Sequence, residues 1–392
     1  MVTTTEDTTV VIIGAGVAGL TLGNFLLKSG IDCVVLEKQS RQYVENRQRA
    51  GTIDSRGVRM FREWGLEDVT KDKDAASEIT GGIWIDEVMY PMDFDDDNIS
   101  DSVLCPQQVL VRNLTDAFLR AGGDLRFEAR DVTPQDLLGE RALVHYRSTD
   151  GTAKAISCDF VAGCDGFHGI SRASIPDDVL TRYSHVYTFS WLSILAEVPA
   201  NPSGMAIHDR GLAGMIPRGA NASRLYIQCP AGDTPEQWPD ERIWSELQAR
   251  FGTEVPPGRI VDKRIVPLRC EVFSPMSYGN LHLLGDAAHI VPPMSAKGIH
   301  LALFDTEVFA RAVIKKVQEG DAGLLDSYSD TCLSHIWNYQ AFAVWITELM
   351  HNAGDASYEG EFRKQLARAE LERQFTSPAA NRLFSELSAG LL

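Results

Sequence analysis

The N-terminal part of the chain alternates between short apolar runs and a longer helical run. Four β-branched apolar residues at 10–13 predict a buried strand, the run LTLGNFLLKSG predicts a helix, and the apolar residues 33–36 predict a second strand. Glycines stand at positions 14, 16 and 19, and Glu37 directly follows the second strand. The pattern indicates a strand, a glycine-rich turn, a helix and a strand, which is typical of dinucleotide binding.

Each glycine in this turn has its own predicted task. Gly14 permits the tight turn, Gly16 lets a pyrophosphate approach the backbone, and Gly19 lets the helix pack closely on the strand. The N–H groups at the start of the helix then face the phosphates. Glu37 is about where a carboxylate binds ribose hydroxyls. An ordinary glycine-rich turn is the alternative, and the motif by itself does not distinguish FAD from NAD.

The rest of the chain divides by the spacing of its apolar residues. Helical patterns occupy residues 55–64, 109–121, 240–251 and 299–316, and helical periodicity continues to the end. Alternating patterns predict sheet at 79–92 and short strands at 189–196 and 225–229, whereas strands at 143–147 and 154–161 return to the parallel sheet. The polar segment 41–53 is interpreted as a solvated loop.

These elements predict an α/β fold with a discontinuous, Rossmann-like parallel sheet. Residues 1–180 and 268–300 form the nucleotide-binding domain, and residues 181–267 form an inserted domain that is mostly antiparallel and rich in strands. Residues 301–392 form a helical C-terminal region.

Composition narrows the function classes. The 392 residues carry a net charge of −17, which argues against nucleic acid or an anionic membrane surface as a partner. The seven cysteines form no CxxC pair, so neither a metal site nor a disulfide framework is expected, and a reducing cytoplasm suits them. The polar N-terminus does not resemble a signal peptide, and we find no apolar run of the length that a membrane span requires.

Three motifs occur in one chain: GAGVAG near the start, CDGFHGISR in the middle and LLGDAAHIVPPMSAKGIHLAL late, with NRQRAGTID between the first two. Together they resemble the group A flavoprotein aromatic hydroxylases over nearly the whole chain. The resemblance implies bound FAD, NADPH (or NADH) as reductant, and O2, with oxygen transferred to an aromatic ring through a flavin C4a-hydroperoxide. For Asp286, which the resemblance assigns to the cofactor, a helix N-cap is the alternative. The residues expected to bind the cofactor are Gly14, Gly16, Gly19, Glu37, Arg47, Arg49, Gln107, Asp165, Arg224, Asp286, Gly298, Ile299 and His300.

The same resemblance places further residues near the reductant and the flavin ring. Lys38, Gln39, Tyr43, His168 and Arg269 match positions that approach NADPH, as does Arg47. A lysine at position 38 attracts a 2′-phosphate but lacks the planar fork of arginine. An isolated His168 would more often be a structural histidine. The helix beginning near residue 298 is expected to direct its positive end at the flavin N1/C2=O region.

The expected substrate is a small aromatic carboxylate. Arg218 and Tyr226 match residues that contact a benzoate carboxylate, and Pro293 matches a residue flanking the ring. Ile216 replaces a serine of this family, and Met205 replaces the tyrosine that receives the substrate's phenolic proton, whose partners fall loosely at Thr80 and Ser388. Because a thioether cannot relay a proton, we expect a benzoate with an amino or differently placed donor, for example an amino-hydroxybenzoate, rather than 4-hydroxybenzoate.

Several alternatives stay open. The chain could be a true 4-hydroxybenzoate hydroxylase, or a flavin-dependent reductase or halogenase on the same fold, although it lacks the WxWxIP segment of halogenases. An NAD-dependent dehydrogenase or a non-catalytic nucleotide-binding module is a third possibility, against which the GD motif argues. Members of the family are commonly dimers, so a homodimer is expected.

Overall fold

The computed structural model describes residues 5–47, 51–71, 81–85, 87–91, 102–351 and 358–389. Strands and helices alternate in the first half, and helices dominate after residue 298. The strands are β1 (Thr5–Ile13), β2 (Cys33–Leu36), β3 (Thr52–Ile53), β4 (Gly82–Ile85), β5 (Val88–Pro91), β6 (Val103–Leu104), β7 (Asp124–Arg126), β8 (Arg130–Gln135), β9 (Ala142–Arg147), β10 (Ala153–Gly163), β11 (Thr181–Glu197), β12 (Gly204–His208), β13 (Gly211–Pro217), β14 (Ser223–Pro230), β15 (Arg259–Ser274), β16 (Ser277–Tyr278), β17 (Leu281–Leu283) and β18 (His289–Ile290). The helices are α1 (Val17–Lys28), α2 (Arg41–Asn46), α3 (Ser55–Glu63), α4 (Gln107–Arg120), α5 (Asp240–Phe251), α6 (Gly298–Glu319), α7 (Gly323–Asp326), α8 (Tyr328–His351), α9 (Tyr358–Thr376) and α10 (Pro378–Ala389).

The first sheet has the strand order β16-β17-β10-β1-β2-β7, with β9 also pairing with β10 and β8 with β9. Strands β17, β10, β1, β2 and β7 run parallel to one another. Residues 10–13 of β1 are buried, because helices cover the sheet. Its apolar residues share one core with those of α1, α4 and α6.

The second sheet has the order β18-β15-β11-β14-β13-β12-β4-β5 and is antiparallel except where β4 pairs with β12. One face packs on α5, with Leu192, Ile194 and Leu225 against Ile243 and Leu247. The opposite face shares a third apolar cluster with α8, α9 and α10. This sheet therefore has a helix-covered rear face and a front face turned towards the C-terminal helices.

The predicted fold class is confirmed, and several local predictions need correction. Residues 41–46 form the short helix α2 rather than a loop, with the Ser40 hydroxyl accepting from the Tyr43 N–H at its start. Strand β9 pairs antiparallel with β10 rather than returning to the parallel sheet. The strands predicted at 189–196 and 225–229 extend to Thr181–Glu197 and Ser223–Pro230.

The second sheet also crosses the predicted domain boundaries. Strands β4 and β5 belong to it although they precede residue 180, and β15 continues to Ser274 beyond residue 267. Strand pairing over long sequence distances decides this membership, and local periodicity does not report it.

All seven cysteines are buried and free of disulfide bonds. In the part of the chain that the structure describes, we find neither a helix of the length and apolarity needed to cross a bilayer nor a cluster of potential metal ligands.

Candidate active site

Four loops meet at one edge of the first sheet, because the parallel strands end in register. Ile13 of β1 lies opposite Leu36 of β2 and Gly163 of β10, and Gly163 lies opposite Leu283 of β17. The glycine-rich turn, Glu37, the CDG turn and the GD turn follow directly after these four strand ends. The carboxyl edge of a parallel sheet is where such folds bind nucleotides. Three motifs separated by more than a hundred residues thus form one site.

The glycine-rich turn needs glycine for steric reasons at two positions. Gly14 has φ +108°, and a Cβ there would overlap the carbonyl oxygen of Cys164. A Cβ on Gly19 would overlap the carbonyl oxygen of Gly14 and approach Ile12 Cγ2 at 3.1 Å. The turn therefore packs against the CDG turn on one side, and α1 packs against β1 on the other, as predicted for both glycines.

The start of α1 fits a phosphate. Gly16 is the N-cap and provides no side-chain hydrogen bond to the helix, and a Cβ built there would meet nothing within 4 Å. The start of the helix is thus open at Gly16, from which an anion can approach the first backbone N–H groups. These features fit the pyrophosphate of a dinucleotide.

Glu37 fixes the shape of this turn. Its carboxylate accepts the Ala15 N–H at 2.9 Å and the Gln39 N–H at 2.7 Å, and the residue is only 9% exposed. A carboxylate oxygen has more than one acceptor site, so these bonds leave capacity for ribose hydroxyls. Binding of ribose by Glu37 stays a prediction.

The CDG and GD turns face each other. A Cβ on Gly166 would lie 4.0 Å from the Cβ of Asp286. The Asp165 carboxylate accepts from the Ser171 N–H at 2.9 Å and the Ser171 hydroxyl at 3.0 Å, and it fills the space that a side chain at Gly169 would need. Burial raises the pKa of Asp165 despite these bonds. Asp165 thus holds its own loop together, and Asp286 lies in a 3-10 turn, not at the N-cap of a long helix.

A buried clamp that the sequence analysis missed holds the GD turn. Asp305 of α6 accepts the Gly285 N–H at 2.9 Å and contacts His289 Nε2 at 2.6 Å through the same oxygen, Oδ2. Asp305 is 0% and His289 2% exposed. The available signal was a lone carboxylate inside the apolar stripe of α6, since such residues are rarely buried without partners. The clamp joins the turn that follows β17 of the first sheet to the start of β18 in the second.

The start of α6 contains a second missed arrangement. His300 Nδ1 lies 2.6 Å from Asp54 Oδ2, and the Lys297 ammonium lies 3.3 Å from the same oxygen. Asp54 also caps α3 by accepting the Gly57 N–H. Burial alone would raise the pKa of Asp54, but the bond from His300 and the charge of Lys297 hold it well below its usual range. The predicted residues Gly298, Ile299 and His300 therefore begin α6 beside an ionised carboxylate.

The predicted cofactor residue Gln107 lies in a neighbouring segment. Gln107 is half-buried and begins α4, directly after Pro106. A Cβ on Gly51 would lie only 2.5 Å from Pro106 Cα, so the backbones of the two segments touch. Arg49, like Thr80 of the loosely aligned relay, lies outside the described residues.

The predicted substrate residues share the front face of the second sheet. Met205 pairs with Gly214 and Gly214 with Tyr226, and the next row pairs Ile216 with Arg224. A Cβ on Gly214 would lie 2.5 Å from Met205 Sδ and 3.3 Å from Tyr226 Cδ2, so both side chains extend over this glycine. Side chains two residues apart on a strand point to the same face. The sheet register therefore brings together residues that the sequence separates.

Positive charge collects on this face. Arg224 is buried, and burial lowers its pKa, while the charges of Arg218 and Arg264 act on it as well. Arg218 follows β13, is half-buried and donates from Nη1 to the Pro217 carbonyl at 3.4 Å. Among the described residues, no carboxylate lies within ion-pair distance of Arg218. An anionic ligand is the complementary partner.

The loop that leads into α6 borders this face. Pro293 is exposed and begins the 3-10 turn Pro293–Ser295, and Met294 packs against the same apolar cluster as Met205 and Tyr226. Ser388 is half-buried near the end of α10, whose Leu387 also packs there. The loop thus contacts the core of the first sheet through Val291 and the cluster on the front face through Met294.

The residues predicted for NADPH fall in two groups on different loops. Lys38, Gln39, Tyr43 and Arg47 follow β2 and lie on or beside α2, where Lys38, Tyr43 and Arg47 are exposed. His168 and Arg269 form the second group, joined by Phe167. The Arg269 guanidinium lies 3.9 Å from the Phe167 ring centre, and the exposed His168 ring lies 5.0 Å from it.

Comparison with known proteins agrees with this geometry. The family described as "FAD binding domain" matches residues 7–343. The chain is 36% identical to p-hydroxybenzoate hydroxylase of Acinetobacter baylyi, over 99% of this chain and 96% of that protein. It is 26% identical to a probable NADH-specific resorcinol 4-hydroxylase of Rhodococcus jostii, over 82% of this chain and 61% of that longer protein.

Solved structures show the same fold. p-Nitrophenol 4-monooxygenase PnpA from Pseudomonas putida DLL-E4 superposes with a TM-score of 0.83 at 18% identity, covering 98% of this chain and 99% of that one. The Diels-Alderase PyrE3 of pyrroindomycin biosynthesis superposes with a TM-score of 0.78 at 20% identity, covering 98% and 80%. The open cradle at Gly16 and the facing CDG and GD turns fit the dinucleotide that the family name implies. The chain therefore belongs to the FAD-binding-domain family and, within it, to the flavin-dependent aromatic hydroxylases.

Proposed function

We propose that this enzyme hydroxylates a benzoate that carries a hydroxy donor, an amino donor or both, with NAD(P)H as reductant and O2 as oxygen source. FAD, when bound, takes up the hydride and activates the oxygen that is transferred to the ring. The protein's task is to hold cofactor and ring in register and to keep water from the reacting atoms. An amino-hydroxybenzoate is the substrate type that we favour over 4-hydroxybenzoate itself.

The observation that carries the proposal is the front face of the second sheet. The half-buried Arg218 and the buried Arg224 present positive charge beside Tyr226, whose hydroxyl is a further hydrogen-bond donor. A carboxylate fits a guanidinium through two parallel hydrogen bonds. The net charge of −17 otherwise repels anions, so this local cluster would select the acid group of the substrate.

The side chains along the same face favour a modified ring donor. Met205 lies next to Tyr226 over Gly214, where the related enzymes carry the tyrosine that receives a phenolic proton. A thioether neither donates nor relays a proton. An aniline nitrogen donates electrons to the ring without first losing a proton, so it does not need that tyrosine.

The second candidate is 4-hydroxybenzoate itself. It is favoured by the 36% identity to p-hydroxybenzoate hydroxylase over nearly the full length of both chains. In that case the phenolic proton would leave by a route that does not use Met205.

FAD would be held by the loops at the sheet edge and by the starts of α1 and α6. We assign Gly14, Gly16 and Gly19 to the pyrophosphate turn, Glu37 to the ribose, and Asp165 and Asp286 to the two facing turns, while Gln107 and Gly298 flank them. The exposed Lys38 and Tyr43, together with His168 and Arg269, would receive NADPH. Lys38 favours the 2′-phosphate of NADPH over NADH by charge.

The anchor can be tested by removing the guanidinium. We expect Arg218→Ala to weaken benzoate binding about 10- to 100-fold, since a hydrogen bond to a charged group contributes ~1.5–3 kcal/mol, and Arg218→Lys to lose less. Flavin difference spectra of the holoenzyme report binding of a panel of hydroxy-, amino- and amino-hydroxybenzoates, and product analysis with NADPH or NADH identifies the substrate. Arg259→Ala is the matched control, because Arg259 is exposed and pairs with Glu197 on the same sheet.

Two results would refute parts of the proposal. Unchanged affinity in Arg218→Ala would remove the anchor. Fast turnover of 4-hydroxybenzoate, fully coupled to its hydroxylation and faster than that of any aminobenzoate, would decide for the second candidate.

We also propose a cytoplasmic location and a homodimer. Seven buried cysteines without disulfide bonds suit a reducing compartment. Large apolar side chains are exposed on α9 and α10, namely Phe362, Leu366 and Leu383. Phe362 and Leu366 are four residues apart and share one face of α9. Exposed apolar patches are typical of protein interfaces.

A further inference from the structure

A line of ionisable side chains connects the start of α6 with α8. His300 Nδ1 lies 2.6 Å from Asp54 Oδ2, and His300 Nε2 lies 3.2 Å from His335 Nε2. The three residues come from three separate elements, the N-cap of α3, the first turn of α6 and the second turn of α8. Neither Asp54 nor His335 has a role in the site described above beyond the cap and the contact with His300.

The two distances determine which ring nitrogen of His300 and of His335 carries the proton. An ionised Asp54 accepts only, so His300 donates from Nδ1. Two nitrogens in contact need one proton between them, so a neutral His300 must accept at Nε2 from the Nε2–H of His335. The neutral arrangement is therefore a directed chain in which His335 donates to His300 and His300 donates to Asp54.

Asp54, Lys297 and Arg56 are the charged groups that influence the pKa of His300. Lys297 on its own helix is 6% exposed and binds Asp54, and Arg56 approaches from α3. Burial lowers the pKa of His300 against the pull of Asp54. Burial lowers the pKa of His335 to about 3, and Arg56 and the protonated forms of His300 and His289 act in the same direction. At neutral pH both rings are uncharged, as a directed chain requires.

Tyr339 of α8 closes the cluster. Its ring centre lies 4.6 Å from that of His300 and 4.7 Å from that of His335. Burial and the charge of Asp54 raise the pKa of its hydroxyl, so Tyr339 stays protonated and does not compete as a base.

The two ends of the chain differ in their access to solvent. His335 is partly exposed and stacks on the Phe304 ring at 3.7 Å, with the Arg56 guanidinium 4.9 Å from that ring. Asp54 and Lys297 at the other end are largely buried beside the loop that carries Pro293 and Met294. The chain thus runs from the surface of α8 to the interior region where α6 begins.

We propose that Asp54, His300 and His335 form a proton pathway between this interior region and solvent. The inference rests on the proposed hydroxylase function: the hydroxy group of a hydroxy- or amino-hydroxybenzoate has a proton to release, and Met205 supplies no route for it. For one inward transfer, His335 takes a proton at Nδ1 and passes its Nε2 proton to His300 Nε2, and His300 passes its Nδ1 proton to Asp54. One proton moves, no electrons are exchanged, and both imidazoles invert their tautomers, so that outward transfer restores the first state.

The tautomers test the chain without any turnover. In the holoenzyme labelled with ¹⁵N-histidine at neutral pH, we expect the Nδ1–H form of His300 and the Nε2–H form of His335, assigned by loss of each signal in the corresponding glutamine variant. In Asp54→Asn the preference of His300 should weaken. An Nε2–H form of His300 in the wild type would overturn the pathway, even if no benzoate proves to be a substrate.

Chemical rescue tests the transfer itself. We expect His335→Ala to lower kcat for the preferred benzoate about 100-fold, at the lower end of the range for lost proton transfer, and added imidazole to restore it. His335→Gln keeps a donor for His300 but cannot pass a proton on, so it should show the same loss without rescue. His145→Ala, a half-buried histidine on β9, is the control for histidine removal. Full activity in both His335 variants, or a loss in His335→Ala that imidazole leaves unchanged, would refute the proposal.

Discussion

Removing the Asp305 carboxylate should destabilise the enzyme at the GD turn. The buried oxygen Oδ2 accepts from the Gly285 N–H at 2.9 Å and contacts His289 Nε2 at 2.6 Å. Asp305→Ala leaves both groups buried without an acceptor, and each such group costs ~1–3 kcal/mol, so about 2–6 kcal/mol is lost. With an unfolding entropy of ~2.1 cal/mol/K per residue, a chain of 392 residues loses about 1.2 °C of Tm per kcal/mol, which predicts a fall of about 2–7 °C.

Asp305→Asn provides the matched comparison. With its amide oxygen in the place of Oδ2, asparagine can still accept from both the Gly285 N–H and His289 Nε2–H, so we expect a loss of only ~1 kcal/mol. Glu319→Ala, at the exposed end of the same helix, should change stability by less than about 0.5 kcal/mol.

The assay records two signals during one thermal scan. Tryptophan fluorescence reports unfolding and flavin fluorescence reports cofactor release. Because Gly285 precedes Asp286, Asp305→Ala should release flavin at a lower temperature than Asp305→Asn. Equal transitions in the alanine and asparagine variants would show that the clamp does not stabilise this turn.

Two further predictions follow from buried groups. Gly19→Ala should lower the Tm and weaken FAD binding, because the new Cβ overlaps the Gly14 carbonyl. Gly16→Ala should weaken FAD binding, measured by fluorescence titration, without lowering the Tm of the apoenzyme. Equal effects of the two substitutions would contradict this division of roles. Burial lowers the pKa of His282 and of His351 to about 4, so the unfolded chain binds more protons than the native one between about pH 6.5 and 4, and stability should fall as pH falls through that window. Urea unfolding across this pH range measures the free energy of unfolding, and His282→Asn should make that free energy less dependent on pH. A wild-type stability independent of pH would contradict the lowered pKa values.

The motifs that the sequence revealed are local, and their geometry follows from local sterics. Gly19 is predictable because a Cβ there would overlap the Gly14 carbonyl within the same turn, and Gly14 because its positive φ favours glycine. Helix α5 was predicted with its observed ends, since its acidic first turn and Gly252 at its C-terminus are encoded nearby. Strand β2 was also predicted with its observed ends, Cys33 and Leu36.

Long-range pairing explains what the sequence did not show. Asp305 is recognisable as a clamp only when α6 is placed against β17, and His335 only when α8 is placed against α6. Strands β4 and β5 joined the second sheet through the parallel pair with β12, over a distance that periodicity does not report.

The amino-acid sequence alone determined the elements of the nucleotide-binding half, the order of its three motifs and the family resemblance, because backbone sterics and short-range spacing encode them. Only the tertiary structure decided which side chains share a face. Sheet register set Met205 beside Tyr226, and helix packing joined Asp54 to His300 and His335. Such contacts depend on the burial of apolar surface across the whole chain, which no local stretch of sequence specifies.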